Sequence, residues 1–372
     1  MTSVSRARTV DDIPTPALLL NREALDRNIR RMAEFFSSGS CRLRPHVKAH
    51  KTPEIARRQL AAGSCVGLTC ATVGEAEAVA SFCDDLLVAN ELISPGTCER
   101  AVVMAGALRQ RAGDRGRLTV AVDSSSGVTR LSEAATAAQV SIGVLVDVNV
   151  GQDRCGVAPG SDALALARLV ASTPGLVLRG VMGYEGHVQP ERTRTTREDR
   201  ARAAMASLVA TADLLRQHGL ACDVVSAGGT GTYDISGRVA GVTEIQAGSY
   251  ALMDTDYRDV GVPFEQAFWV LGTVVSRPAA DRCVADCGHK SVTKDHGLPA
   301  VDGIAGAAIT ALNDEHAVIA IPPSSRIQVG ARIWLIPSHT DPTVNLHDAF
   351  TVIEGDHIVD VWPIAARGYR TP

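Results

Sequence analysis

Short apolar runs rich in β-branched residues alternate with amphipathic segments through the first two thirds of the chain. The amphipathic segments predict helices that bury one face, and the helix that opens at Asn21 places Leu25, Ile29, Met32 and Phe36 on one stripe. Because parallel strands need crossover connections, the alternation predicts an α/β fold with a parallel sheet, and eight strands fit a closed (β/α)8 TIM barrel. The predicted strands are 43–48, 66–71, 86–90, 118–123, 143–149, 178–184, 223–227 and 243–246.

The pattern changes after Val260. Short segments of alternating apolar and polar residues follow one another, separated by turn residues and without a helix signal, which predicts an antiparallel β domain. The early run TPALLL (15–20) has no place in the barrel count, so we expect it to pair with this second domain. The predicted domains are a barrel over 21–260 and a β domain over 261–372 together with 1–20.

Composition excludes several classes of partner. The formal net charge is −4, which gives no electrostatic case for binding nucleic acid or an anionic membrane. No apolar run is long enough to span a bilayer, and the first sixteen residues lack the apolar segment of a secretory signal. Nine cysteines without a CxxC pair predict free thiols in a reducing compartment. We therefore expect a cytoplasmic protein with no nucleic acid or membrane partner.

Unusual polar residues follow the predicted barrel strands, at the end where barrel enzymes place their active sites. Lys48 ends the first strand, Arg154 follows the fifth and Tyr184 closes the sixth. A lysine at a strand end is most often simply solvated. Here a glycine-rich loop follows the seventh strand, and a lysine together with a phosphate site suits an aldehyde cofactor bound as a Schiff base.

The glycine-rich loop AGGTGT (227–232) can present backbone N–H groups to an anion. It lacks the lysine of a P-loop and does not match GxGxxG, so for this loop taken alone an ordinary tight turn is the better explanation. Ser249 and Tyr250, after the eighth strand, add hydroxyl groups at the same end of the barrel. Together the two loops predict a phosphate site.

His339 and Asp341 are the candidate metal ligands. The two residues lie two positions apart, so in an extended segment both side chains point the same way. Imidazole plus carboxylate without thiolate favours Mn²⁺ or Mg²⁺ over a closed zinc site. A turn with incidental polar residues is the plain alternative, and the neighbouring His347 and Asp348 are competing candidates.

Six ordered motifs together resemble the fold-type III pyridoxal-phosphate (PLP) enzymes, in the branch of D-threonine aldolases and eukaryotic-type D-serine dehydratases. The motifs are RPHVKAHKTPEIARRQL, VDVNVGQDRCGVAPG, SAGGTGTYD, EIQAGSYALMDTDY, NDEH and PSHTDPT. The resemblance covers nearly the whole chain. It implies an alanine racemase-like barrel that binds PLP, a C-terminal β domain, and a homodimer with active sites near its interface.

The resemblance also implies residue roles. Lys48 is the Schiff-base lysine, Arg154 lies near the phenolic oxygen of the cofactor, and Tyr184 lies near its ring. His339 and Asp341 hold the metal, and Asp314 of NDEH is a substrate or supporting residue. The phosphate contacts are Gly229, Thr230, Gly231, Gly248, Ser249 and Tyr250.

Two details bear on the reaction. Dehydratases of this branch tend to place cysteine where this chain has Asp341, which favours an aldolase. Some D-threonine aldolases have a later histidine after this tyrosine motif, where Pro190 stands here, so His187 or a metal-bound hydroxide becomes the candidate base.

The function that the resemblance implies is retro-aldol cleavage of a D-β-hydroxy-α-amino acid to glycine and an aldehyde. The enzymatic alternatives are a dehydratase of D-serine or D-threo-3-hydroxyaspartate and a 3-hydroxy-D-aspartate aldolase. A non-catalytic PLP homeostasis protein is the alternative from another class, although cofactor storage needs no second domain.

Overall fold

The computed structural model describes residues 9–368, which form two compact units. The barrel unit comprises residues 32–48 and 55–248, and the β unit comprises residues 9–31, 49–54 and 249–368. Residues 1–8 and 369–372, which include the start of the segment assessed for a secretory signal and both ends of the predicted β domain, lie outside the described residues.

The strands and helices follow in chain order. The strands are β1 (Ala17–Asn21), β2 (Arg42–Leu43), β3 (Leu68–Cys70), β4 (Asp85–Glu91), β5 (Arg117–Val122), β6 (Ile142–Asp147), β7 (Leu176–Gly183), β8 (Val224–Ala227), β9 (Glu244–Ile245), β10 (Phe268–Ala279), β11 (Arg282–Ala285), β12 (Ala300–Asp302), β13 (Ala308–Leu312), β14 (Ala317–Ala320), β15 (Arg332–Ile336), β16 (Ala349–Glu354) and β17 (His357–Pro363). The helices are α1 (Arg22–Phe35), α2 (Pro53–Ala61), α3 (Val73–Val79), α4 (Pro95–Ala112), α5 (Ser125–Ala137), α6 (Ser161–Ser172), α7 (Arg194–Gln217), α8 (Tyr233–Ser236), α9 (Thr255–Val260) and α10 (Thr340–Asn345).

The barrel unit contains one parallel sheet of eight strands in the order β2-β9-β8-β7-β6-β5-β4-β3. Backbone N–H groups of Val66 and Thr69 donate to the carbonyls of Leu43 and Pro45, which joins the segment after β2 to the segment of β3 and closes the barrel. The predicted (β/α)8 architecture is confirmed, and each of the eight predicted strands overlaps an observed one.

Arg44 fixes the closure of the barrel from within. Its guanidinium is buried and donates to Glu244 Oε1 on β9 at 2.8 Å and to Asp85 Oδ1 on β4 at 2.7 Å. A buried charge is tolerated only when it is paired, so removing Arg44 leaves the buried Glu244 carboxylate uncompensated and is expected to cost about 3–5 kcal/mol.

The first barrel strand is shorter than predicted, and Lys48 does not end it. Pairing by β2 stops at Leu43, and Lys48 lies on a 3₁₀ turn over Val47–Ala49. Pro45 explains the difference, because proline has no N–H to donate to a ladder. Beyond Leu43 the backbone N–H groups of Arg44 and His46 still donate to the carbonyls of Ile245 and Ala247, and an isolated bridge joins His46 to Thr69.

The β unit contains a nine-stranded, mostly antiparallel sheet. Its main path is β13-β14-β11-β10-β1-β16-β17, with β15 paired to β10 and β12. The early apolar run forms β1, which pairs antiparallel with β10 and parallel with β16, as expected for that run. The alternation of apolar and polar residues did not predict β12 or β13. The expectation that the C-terminal domain contains no helix was wrong, because α10 lies between β15 and β16.

Helix ends follow the expected chemistry. Asn21 Oδ1 accepts from the backbone N–H of Ala24 at the start of α1, and Gly219 adopts φ +70° just after α7. All nine cysteines are free, as predicted. Within residues 9–368, no helix combines the length and apolar character needed to cross a membrane.

Candidate cofactor and metal sites

Lys48, Tyr184 and Arg154 come together in the barrel unit. The Nζ of Lys48 lies 5.9 Å from the centroid of the Tyr184 ring, and the guanidinium carbon of Arg154 lies 5.7 Å from the same centroid. Cations at this range are attracted to the π face of an aromatic ring. The structure therefore groups three of the residues that the sequence proposed for the cofactor.

The loop that presents Arg154 is held by a local hydrogen-bond cluster. Asn149 Oδ1 accepts from the backbone N–H of Gly151 at 3.0 Å and of Asp153 at 3.2 Å. The Nδ2 of Asn149 donates to Asp153 Oδ1 at 2.8 Å. Gly151 has φ +113°, a conformation that glycine adopts readily. Arg154 thus directly follows a turn that is fixed by hydrogen bonds of the Asn149 side chain.

A buried carboxylate holds the glycine-rich loop. Glu185 is 0% exposed, and its Oε1 accepts from Thr232 Oγ1 at 2.7 Å and from Ser236 Oγ at 2.6 Å. Its Oε2 accepts from the backbone N–H of Gly228 at 3.2 Å. The carboxylate is thus solvated by three neutral donors of the loop and of α8, which replace the water it has lost.

Gln189 makes hydrogen bonds to the glycine-rich loop and accepts from one of its backbone N–H groups. Its Nε2 donates to Thr232 Oγ1 at 2.8 Å, and its Oε1 accepts from the backbone N–H of Gly231 at 2.8 Å. A Cβ at Gly229 would lie 2.7 Å from Gln189 Oε1, and one at Gly231 would lie 2.6 Å from the Gln189 carbonyl. The absence of side chains at both positions is a packing requirement of this loop.

The remaining predicted phosphate residues are buried: Thr230 follows β8, and Gly248, Ser249 and Tyr250 follow β9 along the chain. Gly248 and Thr230 belong to the barrel unit, whereas Ser249 and Tyr250 begin a 3₁₀ turn of the β unit. The ring of Tyr250 is fully buried and packs against Phe264 at a centroid distance of 5.5 Å.

His187 lies on the 3₁₀ turn Gly186–Val188, and its ring packs against Gly151. Burial, and next the positive charge of Arg200, lower its pKa. Its Nδ1 is buried and has no hydrogen-bond partner among the described residues. A neutral imidazole with a vacant nitrogen is the form that accepts a proton, so the group suits a base chemically.

Acidic residues that the sequence analysis did not select lie at the carboxyl ends of β4 and β6. Asp147 ends β6 and is buried, and Glu91 ends β4. Burial, followed by the charge of Glu91 and a hydrogen bond to it, raises the pKa of Asp147 to about 7. Asp147 could have been found from the sequence, because it is a charged residue inside the apolar run VLVDVNV. Counting strands does not draw attention to it.

In the β unit, His339 and Asp341 flank Thr340, but their segment is not extended. His339 precedes α10 with φ −144° and ψ 124°, whereas Asp341 lies in the first helical turn. Proline is tolerated in a first turn, so Pro342 is compatible with helix here. Asp254 anchors the backbone between the two candidate ligands, because its Oδ2 accepts from Thr340 N–H at 2.9 Å and from Thr340 Oγ1 at 2.7 Å.

Two further side chains, Asp295 and His296, contact His339. Its Nδ1 lies 2.7 Å from Asp295 Oδ2, and its ring stacks on His296 with centroids 4.0 Å apart and planes 9° apart. The Nδ1 of His296 lies 2.7 Å from Asp256 Oδ2. The sequence analysis did not select these residues, although KDHG (294–297) places a carboxylate beside a histidine.

The other candidates of the β unit have separate partners. Asp314 is exposed, and its Oδ1 accepts from His289 Nε2 at 2.8 Å. The Nε2 of His347 donates to the carbonyl of Ser291 at 2.7 Å, and burial lowers the pKa of this histidine. His347 is thus used in packing, and Asp348 pairs with Arg367.

The donor sets fit the groups expected from the sequence. A lysine amine beside an aromatic ring and a guanidinium fits an aldehyde cofactor with a phenolic oxygen. One imidazole and one carboxylate fit a divalent ion that keeps most of its coordination positions for water or substrate.

Comparison with known families agrees with this architecture. A family model described as "Alanine racemase, N-terminal domain" matches residues 20–256, and one described as "Putative serine dehydratase domain" matches residues 267–353. The first match spans more than half of the chain. The chain belongs to the alanine racemase-like proteins that combine these two domains.

Individual relatives match along nearly the full length. The D-threonine aldolase of Arthrobacter sp is 40% identical over 363 residues, covering 96% of this chain and 93% of the relative. The 3-hydroxy-D-aspartate aldolase of Paracoccus denitrificans (strain Pd 1222) is 33% identical over 96% of this chain and 93% of its own. The crystal structure of D-threonine aldolase from Filomicrobium marinum has a TM-score of 0.93 at 37% identity over 99% of both chains.

Proposed function

We propose that the chain is a PLP- and divalent-metal-dependent D-threonine aldolase, a lyase that cleaves D-β-hydroxy-α-amino acids to glycine and an aldehyde. The single observation that supports it most strongly is the grouping of Lys48 and Arg154 around the Tyr184 ring in an alanine racemase-like barrel. The 40% identity to a D-threonine aldolase supports the choice of substrate.

The barrel unit supplies the cofactor residues in this proposal. Lys48 binds the aldehyde covalently, Arg154 donates to the phenolic oxygen, and Tyr184 packs against the ring. The phosphate is held by Gly229, Thr230, Gly231, Gly248, Ser249 and Tyr250. Bound PLP supplies an electron sink for the carbanion that cleavage leaves on Cα.

The β unit supplies the metal ligands, His339 and Asp341. The bound ion supplies a Lewis acid for the β-hydroxyl group. Because both donors are borderline or hard, we propose Mn²⁺ or Mg²⁺ rather than Zn²⁺. Asp314 is exposed and accepts a hydrogen bond from His289. We propose that it contacts the substrate or supports the residues that do.

His187 is the proposed base. Its lowered pKa keeps the imidazole neutral near pH 7, so a ring nitrogen can accept the β-hydroxyl proton. The Cα–Cβ bond then breaks, the aldehyde leaves, and a proton delivered to Cα completes glycine. Lys48, which would hold the cofactor aldehyde in the resting protein, would supply the proton to Cα in that last step.

Product identification tests the proposal. The purified, PLP-loaded protein is given D-threonine, L-threonine, D-serine and D-threo-3-hydroxyaspartate, each with and without Mn²⁺. We expect glycine and acetaldehyde from D-threonine in the presence of metal. Formation of 2-oxobutanoate from D-threonine instead defines a dehydratase, and preferential formation of glyoxylate and glycine from the hydroxyaspartate defines the 3-hydroxy-D-aspartate aldolase. If none of the compounds is turned over, the result favours the alternative of a non-catalytic PLP homeostasis protein.

The proposal includes assembly and location. We propose a homodimer in the cytoplasm, with the barrel over 21–260 and the β domain over 261–372 joined by 1–20. The nine free thiols agree with a reducing compartment. Light scattering of the purified protein at several concentrations tests the dimer, since a monomer has a mass of 39.1 kDa.

A further inference from the structure

The side chains around His339 determine which of its two ring nitrogens can bind an ion. The inference drawn from them rests on the metal site of the proposed function. Asp295 and His296 lie beside His339 with donor atoms close enough to be mistaken for a single three-ligand metal site. The hydrogen bonds and the ring geometry decide between that arrangement and another.

The hydrogen bond to Asp295 selects the metal-binding nitrogen of His339. A carboxylate only accepts, so the Nδ1 that lies 2.7 Å from Asp295 Oδ2 bears the proton. In a neutral imidazole the lone pair is then on Nε2. A metal ligand whose other nitrogen donates to a carboxylate has a fixed tautomer, a fixed ring orientation and a more basic donor atom.

Ring stacking excludes His296 as a ligand to the same ion. An ion bound to imidazole lies about 2.1 Å from the nitrogen and close to the plane of the ring. The planes of His296 and His339 are 9° from parallel and their centroids are 4.0 Å apart, so no point lies near both planes at bonding distance. The Nδ1 of His296 is besides engaged with Asp256 Oδ2 at 2.7 Å.

Asp295 is itself fixed. Its Oδ1 accepts from Thr293 Oγ1 at 2.7 Å, and its backbone N–H donates back to that hydroxyl at 3.3 Å. One carboxylate oxygen is thus held by the threonine, and the other faces His339. A restrained acceptor loses less conformational freedom when it orients a partner.

We propose that Asp295 is a positioning residue for the metal site, which fixes the Nδ1–H tautomer of His339 so that Nε2 binds the ion, and that His296 stacks on this ring without being a ligand. Removing such a supporting carboxylate typically weakens metal binding by about 10- to 100-fold.

The test measures Mn²⁺ binding to the PLP-loaded protein by the EPR signal of free Mn²⁺, without reference to turnover. We expect Asp295→Ala to weaken binding by about 10- to 100-fold. Asp295→Asn, which keeps an acceptor oxygen, is expected to recover part of that loss, and His296→Ala to change the affinity less than about threefold. The matched control is Asp348→Asn, a carboxylate of the same unit that pairs with Arg367.

A second readout follows the tautomer directly in the metal-free protein. Long-range ¹H–¹⁵N spectra of ¹⁵N-histidine protein are expected to show an Nδ1–H tautomer for His339, assigned by its loss in His339→Gln, and a shift toward a tautomer mixture in Asp295→Ala. This signal does not depend on the proposed reaction, so it separates failure of the inference from failure of the proposed function.

Any one of three results overturns the inference. Unchanged Mn²⁺ affinity and an unchanged tautomer in Asp295→Ala remove the positioning role. A loss of affinity in His296→Ala as large as that in His339→Ala makes His296 a ligand. If the wild-type protein binds no Mn²⁺ but shows the Nδ1–H tautomer, the metal site of the proposed function is wrong, and the role of Asp295 in metal binding is lost with it.

Discussion

The glycine-rich loop proposed for the cofactor rests on a buried network in the barrel unit, whereas the residues proposed for the metal lie in a partly exposed group of charges in the β unit. Glu185 and Gln189 are buried and tie the glycine-rich loop through neutral donors. Around His339 the side chain of Asp295 is 43% exposed and that of His296 is 46% exposed. The two proposed sites are thus held in place by different physical means.

The difference teaches what each region tolerates. A buried polar network is costly to break, because every donor or acceptor left behind remains unsolvated. A partly exposed pair is screened by water, and losing it costs the fold little. Substitutions in the barrel network are therefore expected to lower both the stability of the folded protein and its cofactor affinity, whereas those at the proposed metal residues are expected to affect metal binding alone.

Replacing Lys48 is expected to have the largest effect. Lys48→Ala loses the covalent link to the cofactor, and cleavage of D-threonine falls by at least about 10³-fold. Borohydride reduction followed by peptide mass analysis is expected to place the label on Lys48 in the wild type and to find none in the variant. Lys51→Ala, three positions along the chain, is the control that keeps label and activity; a label on any other lysine contradicts the assignment.

Removing the metal tests the exposed half of the comparison. Chelation is expected to lower cleavage by about 10²- to 10⁴-fold while the visible absorbance of the bound cofactor stays unchanged, because separate residues hold the two groups. Mn²⁺ restores activity to the chelated wild type. Asp341→Ala behaves like the chelated enzyme, and Asp341→Cys shifts the preference toward zinc, since thiolate is the softer donor. Normal cleavage by chelated protein would remove the metal from the mechanism.

Adding side chains to the glycine-rich loop tests the buried half. Gly229→Val places atoms where Gln189 Oε1 now lies, so we expect cofactor affinity to fall by about tenfold or more while the protein still folds. Equilibrium dialysis measures the affinity and circular dichroism the fold. Gly96→Val is the control, because a Cβ at Gly96 meets nothing within 4 Å. Full cofactor retention in Gly229→Val would place the phosphate elsewhere.

The smallest expected effect is a pH dependence of stability from Asp147. Its pKa is raised to about 7 in the fold by burial and by Glu91, so the folded protein binds this proton more tightly than the unfolded chain. The stabilisation is complete below the ordinary aspartate range and is lost as the pH rises through about 7.

Asp147→Asn keeps a neutral group of similar shape and removes this dependence. Melting temperatures at pH 5 and pH 8 are expected to show a smaller fall in Asp147→Asn than in the wild type, with about 2–4 °C for each kcal/mol of difference. Asp162→Asn, an exposed residue early in α6, serves as the control. An equal fall in wild type and Asp147→Asn means that Asp147 is ionised at pH 5.

The sequence predicts the barrel well because burial on both faces leaves apolar runs that are easy to recognise. It fails where a local backbone effect overrides that pattern. Pro45 ends the first strand early, and the helix around Pro342 replaces an extended segment. Alternation predicts strands, but β12 spans only Ala300–Asp302, too few residues for alternation to be recognised.

Site residues could be predicted where a local sequence motif contained them. They could not be predicted where only a contact with a residue far along the chain gives them a role. Lys48 and Tyr184 were named from strand ends and are grouped by the structure. Asp295 lies 44 positions from His339 along the chain, and no local pattern links the two. Glu185 adjoins a recognised tyrosine, yet its partners are more than 40 residues away.

The position of β1 has a consequence for synthesis on the ribosome. This strand leaves the ribosome first, but its neighbours β10 and β16 are the segments Phe268–Ala279 and Ala349–Glu354. At about 5–20 residues per second, the apolar run waits about 12–50 s for β10 and longer for β16. A nascent chain therefore carries this apolar segment without its strand partners throughout synthesis of the barrel.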